Sequence, residues 1–238
     1  MTGKIICLGL GPGDPELMSV KSHRILTSAR QVAWFRKAGR AGQARRMVQG
    51  LIHEDARELP MDYPVTTEIP LSDPRYNALL SAFYDDWTTR LSDLARNGDV
   101  VVLCEGDPFF YGSFMHLYTR LPRELVEVVP GIPGMVGCWT ASGQPITWGD
   151  DILTVLPATL PEEALARRLA ETDAAVVMKI GRNLPKLVRA LHSAGKYDRA
   201  VLVEYGTMPE ERLRPLSEVT GDVPYFSIVL IHGQGRRP

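Results

Sequence analysis

The sequence has few cysteines and no long hydrophobic run. Cys7, Cys104 and Cys138 are an odd number at wide spacing, which excludes a disulfide framework and a thiolate metal site. No apolar stretch approaches the roughly 18 residues that a membrane-spanning helix needs. The first apolar segment is too short for the core of a signal peptide and is followed by no cleavage site. We therefore expect a cytoplasmic protein with reduced, buried cysteines, no membrane partner and no bound metal.

An excess of charge of one sign is also lacking. The 27 Lys and Arg residues nearly balance the 28 Asp and Glu residues, for a formal net charge of −1, and 45% of the chain is hydrophobic. This balance excludes a disordered tail protein and a polybasic nucleic-acid binder. At about 150 residues per domain, the 238 residues are enough for two medium domains.

Apolar runs of strand length alternate with segments that have helical spacing. The predicted strands are 4–10, 100–104, 126–129, 152–156, 174–180, 200–203 and 226–231, and the predicted helices are 16–28, 41–52, 75–95, 112–120, 161–170 and 184–194. Continuous apolar runs are typical of strands that are covered on both faces. The alternation predicts an α/β protein with mixed or parallel sheets, here two α/β domains with mixed sheets. A Leu-Pro-Arg stretch at 121–123 places the joint between domains 1–121 and 122–238.

Three loops rich in glycine and proline follow predicted strands, at 9–16, 105–112 and 130–134. The first is no dinucleotide fingerprint, because its glycines alternate with other residues and no Asp or Glu occurs from 17 to 53. Ligands of open α/β sheets bind beyond the carboxyl ends of strands, and glycine lets a ligand approach the backbone. The loops therefore predict a ligand site. The alternative is that each is only a tight turn.

Several motifs in these loops and beyond them cover nearly the whole chain. They read GLGPGDPEL at 9–17, EGDP at 105–108 and PGIP at 130–133, with Cys138 and the GQP at 143–145. This set resembles the tetrapyrrole methyltransferases of cobalamin and sirohaem biosynthesis. The runs 107–114, 149–160 and 178–183 are similar in particular to the subfamily that methylates precorrin-2 at C-20.

The resemblance implies a methyl donor, S-adenosyl methionine, in a cleft between two α/β domains of a homodimer. It implies methylation of precorrin-2 at C-20 to give precorrin-3A, a reaction of corrin biosynthesis. Matched position by position, the residues implied to contact the donor are Pro12, Glu105, Gly106, Asp107, Phe110, Pro133, Gly134, Met178, Gly206 and Thr207. Glu105 departs from the sirohaem-branch members, in which a glycine is common at this place.

The substrate implied by the resemblance carries acetate and propionate groups, which need Arg and Lys. Eight Lys or Arg and no acid lie between residues 17 and 53. We expect Arg36, Lys37, Arg40 and Arg182 to bind substrate carboxylates, with Tyr111 as part of the wall. A solvated basic face or a weak nucleic-acid surface remains the alternative for this segment, although the near-neutral net charge disfavours a nucleic-acid partner.

The implied chemistry asks mainly for alignment of carbon, methyl and sulfur. A general base could remove the proton that leaves the macrocycle, and Asp107 and Tyr111 are the catalytic candidates. Two alternatives stay open. The substrate could be the cobalt-containing analogue, cobalt-factor II, or the chain could be a tetrapyrrole-binding relative without turnover.

Overall fold

The computed structural model describes residues 3–66, 68–70 and 73–235. Contacts divide the chain into two compact units, Met1–Gly134 and Met135–Pro238. In the described part of the chain, no helix is long and apolar enough to cross a membrane.

The first unit is built on a five-stranded sheet. Its strands are β1 (Ile5–Gly9), β2 (Gln31–Lys37), β3 (Arg57–Tyr63), β4 (Val100–Cys104) and β5 (Val126–Val129). The order across the sheet is β3-β2-β4-β1-β5, and every pairing is parallel. All residues of β1 and β4 are buried, as their continuous apolar sequences predict.

Helices cover both faces of this sheet. They are α1 (Val20–Ser28), α2 (Gln43–Met47), α3 (Pro74–Ala95) and α4 (Phe114–Tyr118). Alternate residues of β1 point to opposite faces, so that Ile5 packs in a core with Phe83 of α3, whereas Leu8 packs in a core with Leu26 of α1 and Met47 of α2. The parallel strands therefore lie between two helical layers.

The second unit has its own five-stranded sheet. The strands are β6 (Leu153–Pro157), β7 (Ala174–Met178), β8 (Ala200–Glu204), β9 (Arg212–Pro215) and β10 (Ser227–Ile231), and the helices are α5 (Gly134–Ala141), α6 (Glu162–Glu171) and α7 (Leu184–Ser193). The order is β6-β7-β10-β8-β9. β6 and β7 are parallel, whereas β10 is antiparallel to both of its neighbours and β8 is antiparallel to β9. Leu165 of α6 and Leu187 of α7 pack in one core, and Cys138 of α5 packs in the other.

The predicted α/β class with two units is confirmed, with two differences of detail. The second sheet is mixed as expected, but the first is parallel throughout. The division also falls after Gly134 and not at residue 121. The reason is that β5 pairs with β1, which makes residues 126–129 part of the first sheet.

Candidate functional site

The three glycine loops of the first unit lie at one edge of its sheet. They follow β1, β4 and β5, which are parallel neighbours, so their carboxyl ends share that edge. The first two loops are also bonded to each other: Leu10 N donates to Cys104 O at 3.0 Å, and Gly106 N donates to Gly11 O at 2.8 Å. The structure thus brings together Pro12, Glu105, Gly106, Asp107, Phe110, Tyr111, Pro133 and Gly134 on adjoining loops of one sheet edge.

Glycine is required where these loops cross. A Cβ at residue 131 would lie 2.1 Å from Gly106 O, and a Cβ at residue 9 would lie 2.4 Å from Gly131 N. Backbone therefore packs directly on backbone at Gly9 and Gly131. At Gly134, in contrast, a Cβ would meet nothing within 4 Å. Two of the glycines thus serve loop packing, whereas the third leaves open space.

The carboxylate of Asp107 joins the second loop to the third. Its Oδ1 accepts a hydrogen bond from Phe109 N at 2.9 Å, and its Oδ2 accepts one from Gly131 N at 3.1 Å. Both oxygens are therefore engaged by backbone N–H groups. This arrangement favours a role in holding the loops over the role of a general base that the sequence suggested.

Backbone strain is found in the segments that follow three of the strands. Among the described residues, four non-glycine residues have positive φ: Tyr111 (55°), Lys179 (57°), Tyr205 (53°) and Thr207 (66°). Such conformations cost about 1–3 kcal/mol each and cluster at ligand sites. Tyr111 lies in the loop after β4, Lys179 directly follows β7, and the other two follow β8. Strain thus marks the same strand ends as the sequence motifs.

In the second unit, β7 and β8 run in the same direction because both are antiparallel to β10. Met178, at the end of β7, therefore shares a sheet edge with the Gly206-Thr207 loop after β8. Met178 is partly buried against the core that contains Cys138, so it is in part a packing residue. Arg182 is exposed in the turn after β7 and lines a cavity of about 530 Å³ with Leu184, Val219 and other residues.

The close approach of the β8 loop to α5 explains Gly206. A Cβ at residue 206 would lie 2.7 Å from Cys138 Sγ. Burial raises the pKa of Cys138 to about 12, against the opposing effect of a hydrogen bond from the Gly206 N–H. All three cysteines are buried and unpaired, as the sequence predicts.

The basic segment after β2 is less positive than its sequence indicates. The parallel register sets Arg36 opposite Asp62 of β3, and Arg36 Nε lies 2.6 Å from Asp62 Oδ1. Lys37 forms an ion pair with Glu68. Arg40 is exposed and has no ion pair among the residues that the structure describes. Because acids from β3 and the following loop neutralise this segment, the nucleic-acid alternative loses support.

Glu105 connects the loop after β4 to this basic segment. Its Oε1 accepts a hydrogen bond from Ala44 N at 2.9 Å. Ala44 lies in the first turn of α2, whose preceding residue, Gly42, has no side chain that could cap the helix. The Glu105 carboxylate therefore supplies the missing cap.

A pair of partly buried hydroxyls joins the end of β3 to the segment that follows the second loop, and sequence reasoning missed it. Tyr63, the last residue of β3, is hydrogen-bonded through its hydroxyl to Ser113 Oγ, two residues after Tyr111. The Tyr63 ring stacks on Phe35 with 5.6 Å between centroids. Burial raises the pKa of Tyr63 well above its usual range, so the phenol stays neutral. No sequence signal revealed it, because β3 is not an apolar run.

Comparison with known proteins identifies the family. The family model of the Tetrapyrrole (Corrin/Porphyrin) Methylases matches residues 4–220. The chain belongs to the tetrapyrrole methylase family. Among the curated members, it is 50% identical over 239 residues to precorrin-2 C(20)-methyltransferase from Sinorhizobium sp., with 99% of this chain and 98% of that protein covered. It is 27% identical over 241 residues to cobalt-precorrin-2 C(20)-methyltransferase from Salmonella typhimurium, with 98% of each covered.

A solved structure of another tetrapyrrole methylase has the same fold. The uroporphyrin-III C-methyltransferase from Thermus thermophilus, solved in complex with S-adenyl homocysteine, matches with a TM-score of 0.65 and 22% sequence identity, over 96% of both chains. At 22% identity this match shows that the two proteins share a fold, and it shows nothing about ligands or activity.

Proposed function

We propose that this protein transfers a methyl group from S-adenosyl methionine to C-20 of precorrin-2, giving precorrin-3A in cobalamin biosynthesis. The observation that carries the proposal is the 50% identity to the Sinorhizobium precorrin-2 C(20)-methyltransferase along nearly all of both chains. The 27% identity to the cobalt-precorrin-2 enzyme makes the cobalt-containing substrate the second candidate.

The loops of the first unit fit a methyl donor of this kind. S-adenosyl methionine has polar ends that need backbone donors and acceptors, and an adenine that needs apolar contacts. The glycine and proline loops of the first unit carry the side chains of Phe109, Tyr111 and Ile132, which are 47%, 47% and 38% exposed. We assign the donor to the backbone of these loops of the first unit. The residues in this role are Pro12, Gly106, Asp107, Phe110, Pro133 and Gly134, and the family resemblance implies the same role for Met178, Gly206 and Thr207.

Bound S-adenosyl methionine supplies an activated methyl group, and the macrocycle supplies the electron density of the attacking carbon. The residues of this chain therefore have to orient the reactants and exclude water. Asp107 does this indirectly, because it joins its own loop to the loop after β5 through Gly131 N and fixes the turn of its own loop through Phe109 N. Tyr111 is exposed and lies on a strained backbone just before α4, so we assign it a contact with the substrate. Of the two catalytic candidates, Asp107 and Tyr111, we assign to Tyr111 the removal of the proton that leaves the macrocycle.

Substrate carboxylates bind to arginine and lysine in this proposal, with unequal contributions. Arg36 and Lys37 already pair with Asp62 and Glu68, so a substrate carboxylate has to compete with those acids. Arg40 has no such competitor in the described part of the chain and is expected to contribute most. Arg182 is exposed in the second unit and is the fourth candidate.

Anaerobic turnover with radiolabelled S-adenosyl methionine tests the function, with precorrin-2 and cobalt-factor II supplied side by side. We expect one added methyl group, placed at C-20 by mass and carbon NMR spectroscopy, and faster turnover of precorrin-2. Faster turnover of cobalt-factor II would select the second candidate. Donor binding without label transfer to either substrate would contradict the enzymatic proposal and indicate a binding protein.

An Arg40→Gln variant tests the substrate assignment, with Arg24→Gln as its matched control. Both arginines are exposed, but Arg24 lies within α1. Arg40→Gln should raise the tetrapyrrole KM roughly tenfold, as the loss of a charged contact worth about 1.4 kcal/mol would do. Equal effects of the two substitutions would argue for a general electrostatic effect. We also propose a homodimer, which light scattering in solution would test.

A further inference from the structure

Glu105 makes a contact that points away from the methyl donor. Its Oε1 accepts the Ala44 N–H at 2.9 Å, and Ala44 itself is only 2% exposed. A carboxylate that accepts from a first-turn N–H group makes a charge-assisted hydrogen bond and also interacts favourably with the positive end of the helix. The side chain thus fixes the start of α2.

The turn before α2 is held from its other side by Trp34. Trp34 Nε1 donates to Ala41 O at 2.7 Å, and Arg40 N donates to Lys37 O at 3.0 Å. A Cβ at residue 42 would lie 2.9 Å from Phe35 O, so the turn also packs closely on β2. Arg40 therefore directly precedes a short segment that is held at two points, by the indole of Trp34 at residue 41 and by the carboxylate of Glu105 at residue 44.

The same turn carries Arg40, which forms no ion pair with any residue that the structure describes. Because Arg36 and Lys37 are already in ion pairs, the placement of Arg40 affects how this segment meets an anionic substrate. Glu105 directly follows β4, so it anchors this turn to a central strand in which every residue is buried.

We propose that the side chain of Glu105 positions the segment that binds the carboxylate-bearing substrate, acting through Ala44 and the Arg40 turn, and that this side chain does not contact the methyl donor. This inference rests on the proposed function, because it assumes that the segment binds an anionic tetrapyrrole. It replaces the donor contact that the sequence resemblance implied for Glu105.

The test compares Glu105→Ala and Glu105→Gln with Glu127→Ala as the matched control. Glu127, on β5, also forms a contact with a neighbouring segment, an ion pair with Lys21. Glu105→Ala should raise the tetrapyrrole KM five- to tenfold while kcat stays within twofold and the Kd for S-adenosyl homocysteine, measured by calorimetry, stays unchanged. Glu105→Gln should raise the tetrapyrrole KM less than Glu105→Ala does, because its amide oxygen still accepts the hydrogen bond from Ala44 N. Glu127→Ala should change none of these values.

A rise in the Kd for S-adenosyl homocysteine, with an unchanged tetrapyrrole KM, would overturn the proposal and return Glu105 to the donor site. An equal rise in the tetrapyrrole KM and in the Kd for S-adenosyl homocysteine would also overturn it, because a residue that positions only the tetrapyrrole should change the KM and leave the Kd unchanged. Amide hydrogen exchange over residues 38–47 separates this inference from the proposed function, since it needs no turnover. Exchange there should accelerate in Glu105→Ala and not in Glu127→Ala, and an unchanged rate would contradict the anchoring role whatever the substrate is.

Discussion

Replacing Asp107 by Asn separates a role in holding the loops from a role as a general base. The carboxylate accepts two backbone N–H groups, from Phe109 and from Gly131. An Asn amide can accept one of them, but its NH₂ group then faces the other donor. The change therefore removes about one charge-assisted hydrogen bond and leaves a partly buried N–H without a partner, a loss of about 2 kcal/mol.

This loss should appear as weaker donor binding, because one of the bonds joins two donor loops and the other fixes the turn of one of them. About 2 kcal/mol corresponds to a roughly thirtyfold rise in the Kd for S-adenosyl homocysteine. We expect kcat at saturating donor to stay within a few-fold of the parent value. Titration calorimetry and steady-state kinetics measure the two quantities. Asp73→Asn is the control, since Asp73 also accepts a backbone N–H, at the start of α3, but lies outside the glycine loops.

The opposite pattern would refute this reasoning. A general base contributes about 10²- to 10⁴-fold to the rate, and its loss leaves binding intact. If Asp107→Asn lowered kcat a hundredfold with an unchanged Kd, Asp107 would be the base and the two backbone contacts would be incidental.

Three further predictions concern single side chains. Gly206→Ala puts a Cβ 2.7 Å from Cys138 Sγ, so the donor Kd measured by calorimetry should rise tenfold or more. Adding Cys138→Ala should restore part of the donor affinity. If the double variant binds the donor no better than Gly206→Ala, another contact is responsible. Tyr63→Phe removes the hydroxyl that is hydrogen-bonded to Ser113 and should raise the donor Kd several-fold with little change in kcat, whereas an unchanged Kd would show that this hydrogen bond does not hold the loop. Burial, with a nearby arginine, lowers the pKa of His116 from its usual 6.5. The unfolded chain therefore binds this proton more readily, and stability should fall as the pH drops through 6.5 toward the folded-state pKa. In urea unfolding at about pH 7.5 and about pH 5.5, His116→Phe should lose less stability than the parent chain, and an equal loss would exclude His116 as a cause.

Strands with strongly apolar sequences could be predicted, whereas β2, β3 and β9 could not. β4 was predicted with the observed bounds because its apolar run is continuous, and β5 was predicted with the observed bounds although it contains Glu127 and lies at a sheet edge. β3 has the sequence RELPMDY, and the prolines of β3 and β9 are tolerated because both strands lie at sheet edges. α5 was missed because its glycines and its uniformly apolar sequence conceal the helical period.

The loops of the site could be predicted, but their electrostatics could not. Glycine and proline directly after apolar runs are local signals, and the strained residue Tyr111 lies in one of the predicted loops. The ion pair of Arg36 depends on Asp62, which lies 26 positions later on a strand that gave no signal. A segment without acids in its own sequence therefore looked more positive than it is. The contact of Glu105 with Ala44 spans 61 positions and depends on tertiary structure alone.

The position of β10 sets the order in which the two sheets can be completed during synthesis. All strands of the first sheet exist once residue 129 has been added, whereas β10, which lies between β7 and β8, begins only at Ser227. Until then, β7 and β8 each present an unpaired edge that consists largely of apolar residues. Such edges pair readily with other chains. A nascent chain that stalls shortly before Ser227 should therefore have a complete first sheet and a second unit prone to aggregation.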